Sequence, residues 1–195
     1  MSRRGWLLLG ATAPVLGLFA LLTWAVVQSG GNPGSFGVNQ EFGQVRLSPQ
    51  AAKEFSLTTF DGATINLAGL QGKIVMVDFW ASWCAPCRFE APGLVEVYLE
   101  YEDRAVEFVG VDIWDRRQDA IDYVSLFQIT YPNGVDEKGT IAISYGVRGI
   151  PEKFFIDQDG VIVKKFVGPV DADTLRSTLD ELLSKDGLGS PQRQY

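Results

Sequence analysis

Histidine is missing from this 195-residue chain, and cysteine occurs only twice. Tetrahedral zinc takes about four ligands, so two cysteines without any imidazole leave only carboxylates to complete a mononuclear site. No metal is expected. Charge is scarce at the start: between Arg4 and Glu41 there is none, and every acidic residue lies beyond that gap. The part after it is therefore more acidic than the whole-chain net charge of −7. Phosphate backbones need a concentrated positive face, which argues against nucleic acid as a partner. An acidic surface can attract a basic protein, although dispersed charge of this kind also serves solubility alone.

What fills the uncharged opening is an apolar run from Trp6 to Val27, preceded by the short basic start Met1-Ser-Arg-Arg-Gly. It is long enough to cross a bilayer, and Arg3 and Arg4 held inside would deliver the remainder to the outer face. A cleaved signal peptide is the competing reading. Its apolar core is normally shorter, and Val27-Gln28-Ser29 is a weak cleavage site, so residues 1–28 are expected to form an uncleaved anchor. Gln28 to Asn39 is rich in Gly, Ser, Asn and Pro, the composition of a flexible tether, which is taken to span 29–45. A folded domain is expected over 46–186, and the tail 187–195 has no reason to be ordered.

Within the domain, two alternating runs around Asp61-Gly62 predict a hairpin from Phe55 to Leu67. Ile74 to Trp80 is short, apolar and rich in β-formers, and predicts a central strand; Cys84 onward carries apolar residues at helical spacing with proline in the first turn. A strand thus feeds a helix, and the cysteines sit at the join. Free N–H groups and the helix dipole favour a thiolate at the helix N-terminus, which makes Cys84 the nucleophile. Cys87, one turn on, shares its face and becomes the resolving thiol of a redox-active disulfide. Further elements are expected at Val106 to Ile113 (strand), Arg116 to Ile129 (helix), a turn with a short strand and helix over 131–145, and a strand pair around Asp159-Gly160. A last helix capped by Asp171 carries Leu175, Leu179 and Leu182.

The stretch Trp80-Ala-Ser-Trp83-Cys84-Ala-Pro86-Cys87-Arg88, followed by Glu90 and Pro92, resembles the membrane-anchored thioredoxin-like proteins of cytochrome c maturation. This is the family called CcmG, DsbE or ResA, within the TlpA-like group. The resemblance covers about residues 46–185. It implies an α/β thioredoxin-like fold with an N-terminal β-hairpin and a core insertion, preceded by one transmembrane helix. It also implies a cis Ile150–Pro151 bond beside the cysteines, with neighbouring main-chain groups free to pair with an extended substrate alongside Trp83 and Pro86. Glu90 and Glu152 match acidic positions of the family. Asp78 matches the buried acid of ordinary thioredoxins, whereas many cytochrome-maturation members are neutral there. A buried carboxylate near Cys87 can move its proton as a mixed disulfide resolves, and negative neighbours disfavour a thiolate.

Strong disulfide donors stabilise their thiolate, often with a histidine between the cysteines; here Ala85-Pro86 and acidic neighbours point to a reductant. The resemblance implies the oxidised C-x-x-C-H segment of apocytochrome c as client and a CcdA- or DsbD-type membrane protein as electron donor. No cofactor beyond the Cys84–Cys87 pair is expected. A general extracytoplasmic disulfide oxidoreductase would share every one of these residues. A peptide-binding chaperone would need Pro151 but neither thiol.

Overall fold

The structure, a computed structural model, describes residues 14–24, 27, 39 and 42–186. Residues 14–24 are helical and expose their large apolar side chains, Phe19 and Trp24 among them. No helix among the described residues is long and apolar enough to cross a membrane, and residues 6–13, 25 and 26 of the expected span fall outside them, as does the tail 187–195.

The folded unit is organised on β5 (Ile74–Trp80), every residue of which is buried. Such a strand, covered on both faces, reads as a near-continuous apolar run, broken here only by Asp78, rather than an alternating one. It pairs in parallel with β6 (Val106–Asp112) and antiparallel with β8 (Glu152–Ile156). Outward from β8 comes β9 (Val161–Val167), and outward from β6 comes β7 (Asn133–Val135). The hairpin of β3 (Ser56–Thr58) and β4 (Thr64–Asn66) forms its own two-stranded sheet. It docks on β7 through the Thr59–Gly134 bridge, so close that a Cβ on Gly134 would lie 2.3 Å from the Thr58 carbonyl oxygen.

Among the described residues four α-helices complete the unit: α1 (Ala85–Tyr101), α2 (Arg117–Leu126), α3 (Thr140–Tyr145) and α4 (Ala172–Asp186). Alternation along β5 divides the core. On one side Asp78 and Trp80 face α1 and α2; on the other Phe79 packs on Tyr145 of α3 and Phe154 of β8. Helices α1 and α4 are tied at their far ends, where the Tyr101 hydroxyl donates to Asp180, and α4 buries Leu175, Leu179 and Leu182. Asp171 accepts the Thr174 N–H at 2.8 Å, the expected cap.

The thioredoxin-like layout, the hairpin and the short strand and helix inserted over 131–145 match expectation; the N-terminal boundary does not. β1 (Gly43–Val45) lies inside the stretch assigned to the tether, yet it pairs antiparallel with β9, Gly43 opposite Val167. The next piece, β2 (Gln50–Ala51), adds to the same strand. Both are exposed edge pieces held by main-chain bonds, so neither left an apolar period to read.

Candidate active site at the end of the central strand

At Trp80 the strand stops, and the chain turns through Ala81, Ser82 and Trp83 before the helix begins. The Ser82 N–H is held by Asp115 Oδ2 at 2.6 Å, and the Cys84 N–H by the Ala81 carbonyl. Cys84 is the N-cap of α1, and its sulfur accepts the Cys87 N–H at 3.2 Å. That hydrogen bond would persist to a thiolate and help stabilise it. The two cysteines are joined, S–S 2.04 Å. A nucleophile at a helix N-terminus is expected to stand open to a client, but in this oxidised form both cysteines are buried, at 0% and 1% exposure. Openness belongs instead to their neighbours, with Trp83 exposed and Pro86 half-buried.

Because β8 runs antiparallel to β5 with Glu152 opposite Phe79, the loop preceding β8 lies at the same end of the sheet as the cysteines. Its Ile150–Pro151 bond is cis. The loop's carbonyls are not vacant: Asn39 donates its main-chain N–H to Ile150 O at 2.8 Å and its Nδ2 to Pro151 O at 2.9 Å. Any extended polypeptide pairing there has to displace Asn39 from Ile150.

The three acids that the resemblance points to do not share one face of the sheet. Asp78 and Glu90 are buried on the α1 side of the sheet, whereas Glu152, one residue out of phase with Lys153, points to the opposite face. There Glu152 accepts the Arg148 N–H at 3.3 Å and sits 2.7 Å from Lys165 Nζ, which braces the loop before Pro151. Nor are these carboxylates bare negative charges, since each has a lysine.

The lysine of Asp78 and Glu90 is Lys153, wholly buried, which in the sequence marks only the start of a strand. It stands directly across the ladder from Asp78, with Nζ 3.0 Å from Asp78 Oδ1 and 2.5 Å from Glu90 Oε1. The Asp78 contact is an ion pair outside hydrogen-bonding geometry. Glu90 Oε2 accepts the Val170 N–H at 2.8 Å. Burial pushes the Glu90 carboxyl up to about 7, against the pull of Lys153. Burial works to lower Lys153, but the two carboxylates prevail and hold it above the ordinary lysine value.

A second group escaped sequence reading. Asp112, at the end of β6 and beside Trp80 in the ladder, is wholly buried, and neither carboxyl oxygen has a hydrogen-bond partner among the described residues. Burial, and then the nearby Asp115, pushes it up to about 8. Tyr123 of α2 stacks on Trp80 at 4.4 Å and donates its hydroxyl to the Cys87 carbonyl at 2.9 Å, fixing the first turn of α1 from outside. Among the described residues no group of three or more Cys, Asp or Glu could hold a metal ion.

Two thiols that close a ring at the mouth of a central strand do one kind of chemistry, exchange of a disulfide with another molecule. On this sheet they define a thioredoxin-like thiol–disulfide oxidoreductase. Residues 49–165 match the AhpC/TSA family, and the chain belongs to it. Thiol-disulfide oxidoreductase ResA of Bacillus cereus is 31% identical over 131 residues, 67% of this chain and 76% of that protein. The thioredoxin-like protein YneN of Bacillus subtilis (strain 168) is 33% identical over 135 residues, 67% of this chain and 78% of the other. Among solved structures, a thiol:disulfide interchange protein of the thioredoxin family from Chlorobium tepidum superposes with a TM-score of 0.66 at 29% identity, covering 71% of this chain and 99% of that one. A secreted Mycobacterium tuberculosis disulfide oxidoreductase homologous to E. coli DsbE does so with 0.60 at 32% identity, covering 66% and 96%.

Proposed function

We propose that this enzyme works as a reductant on the outer face of the cytoplasmic membrane, anchored by Trp6 to Val27, and that its client is the oxidised C-x-x-C-H segment of apocytochrome c. The observation that carries the direction is the buried acid–lysine cluster one turn below Cys87, with no histidine anywhere to stabilise the dithiol form. Outside the cytoplasm disulfides are otherwise made and kept, so a reductant there needs a dedicated client and a membrane donor, for which a CcdA- or DsbD-type protein fits. The ResA name of the relatives and the secreted, DsbE-like neighbour support this reading.

In the reduced enzyme, Cys84 as thiolate attacks one sulfur of the client disulfide. A mixed disulfide forms and the other client sulfur leaves as thiolate. Cys87 then gives its proton to the buried acids, and its thiolate attacks the Cys84 sulfur. The Cys84–Cys87 bond closes and the second client thiolate departs, two electrons having passed to the client. Main-chain pairing at Ile150 would let the site take a polypeptide with little regard to its side chains.

Replacing Cys87 by Ser removes the second step, so a mixed disulfide accumulates through Cys84 and the captured partner carries C-x-x-C-H; replacing Cys84 gives no adduct. Capture only of proteins lacking that motif would favour the general reductase. Insulin reduction that vanishes in Cys84→Ser separates the enzyme from the chaperone reading, under which the native chain would reduce no insulin either.

A further inference from the structure

The second half of the exchange needs a buried base that is ionised near neutral pH and able to take one proton. Two carboxylates alone, side by side and out of water, would hold a proton between them too tightly to serve. One cation between them changes the count. With Lys153 charged and both acids ionised the trio carries a single negative charge, which a single proton neutralises.

We infer that Lys153 is the positioning residue of this site: by bridging Asp78 and Glu90 it sets the proton affinity of Glu90 and makes that side chain the acceptor of the Cys87 proton. The placement follows from three elements. β5 presents Asp78, β8 presents Lys153 opposite it, and α1 presents Glu90 three residues after Cys87. The Val170 N–H fixes the other Glu90 oxygen, so that carboxylate cannot swing away from the ammonium. A group pushed up to about 7 is ionised about half the time at neutral pH, the condition under which a proton is taken and returned most readily.

Other titratable groups face the cluster. α2 brings Tyr123, with Arg88 of α1 above its ring, and the segment before β7 brings Tyr131; burial raises both phenols further above their ordinary value, so both stay protonated near neutrality. β6 brings Asp112 on the same face, past Gly110, the residue paired with Asp78. Glu152 and Lys165 lie on the other face.

The test is single-turnover reduction of an oxidised disulfide peptide by the full reduced chain between pH 5 and 9, following formation and resolution of the mixed disulfide separately. Resolution in the native enzyme should rise with pH around a midpoint near 7, where Glu90 ionises. Lys153→Met removes the attraction and should move that midpoint up by a unit or more, which makes resolution about ninefold slower at pH 6 for each full unit. Asp78→Asn removes the repulsion and should move it down. Opposite shifts from neighbouring substitutions are not what general loosening of the core produces. Midpoints that stay put, or that move the same way in both, overturn the inference. Should Lys153→Met not fold, Asp78→Asn keeps a one-to-one Lys153–Glu90 pair and decides alone: a lowered midpoint supports the role, and an unchanged or raised one refutes it. The inference rests on the disulfide-reductase chemistry, not on the identity of the client, and the peptide assay reads it even if no cytochrome is ever captured.

Discussion

Replacing Asp112 by Asn should make the protein's stability much less sensitive to alkaline pH. Asp112 is buried in full, its oxygens lack hydrogen-bond partners among the described residues, and its carboxyl is raised from the ordinary 3.8 to about 8. An acid raised on folding adds stability that is fully present below its unfolded value and is lost as pH climbs through the folded one, so the relevant window runs from about 4 to 8. At about 1.4 kcal/mol per tenfold, that gap sets a ceiling of about 6 kcal/mol, of which roughly 4 falls between pH 5 and 8.5. Asparagine keeps the shape and cannot ionise; its buried amide carries a cost of about 1–3 kcal/mol that does not vary with pH. Urea unfolding of the oxidised chain at pH 5 and 8.5 measures the effect. The stability difference, variant minus native, should grow by several kcal/mol in the variant's favour at the higher pH. A difference that stays constant within about 0.5 kcal/mol would show that Asp112 is solvated or paired, and would refute the reasoning.

Gly110→Ala should destabilise by about 3 kcal/mol or more, because its Cβ would fall 1.7 Å from Asn133 Oδ1 and 2.9 Å from Trp80 Nε1, where those two atoms share a buried hydrogen bond; a urea midpoint equal to that of the native chain would count against it. Tyr123→Phe deletes the bond to the Cys87 carbonyl and should cost about 1–2 kcal/mol, read by the same unfolding curves, with slower mixed-disulfide resolution as the first turn of α1 loosens. Neutralising Glu152 should lower stability through Arg148 and Lys165 and leave the alkylation pH profile of reduced Cys84 nearly unmoved, since its charge is paired across the sheet from α1; a drop in the Cys84 pKa of a full unit would contradict that. The full chain should remain in the pellet after alkaline carbonate washing of membranes, and a soluble form beginning near residue 30 would show cleavage instead.

What the sequence by itself determined is local. β5 falls on Ile74–Trp80 because an apolar, β-branched run that short can only be a buried strand. The cysteines fall on the first turn of α1 because Pro86 and the periodic residues after it leave no other start. The hairpin around Gly62, the cap at Asp171 and the leucines of α4 were legible for the same reason, each being written in turn chemistry or in a period over a few neighbours. Tertiary structure decided everything that depends on register between distant segments. Lys153 became the partner of Asp78 and Glu90 only because β8 lies antiparallel beside β5 with those positions opposed, and the same register sent Glu152 to the other face. Asp112 was one more residue of the strand expected from Val106 to Ile113, and only the fold, which sets it beside Trp80, shows that it is buried; Gly43 to Val45 looked like tether until β9 offered its edge. A lysine in a sequence is a solvated cation by default, and only the low-dielectric enclosure formed by three separate elements turns this one into a fixed charge that governs where a proton can rest.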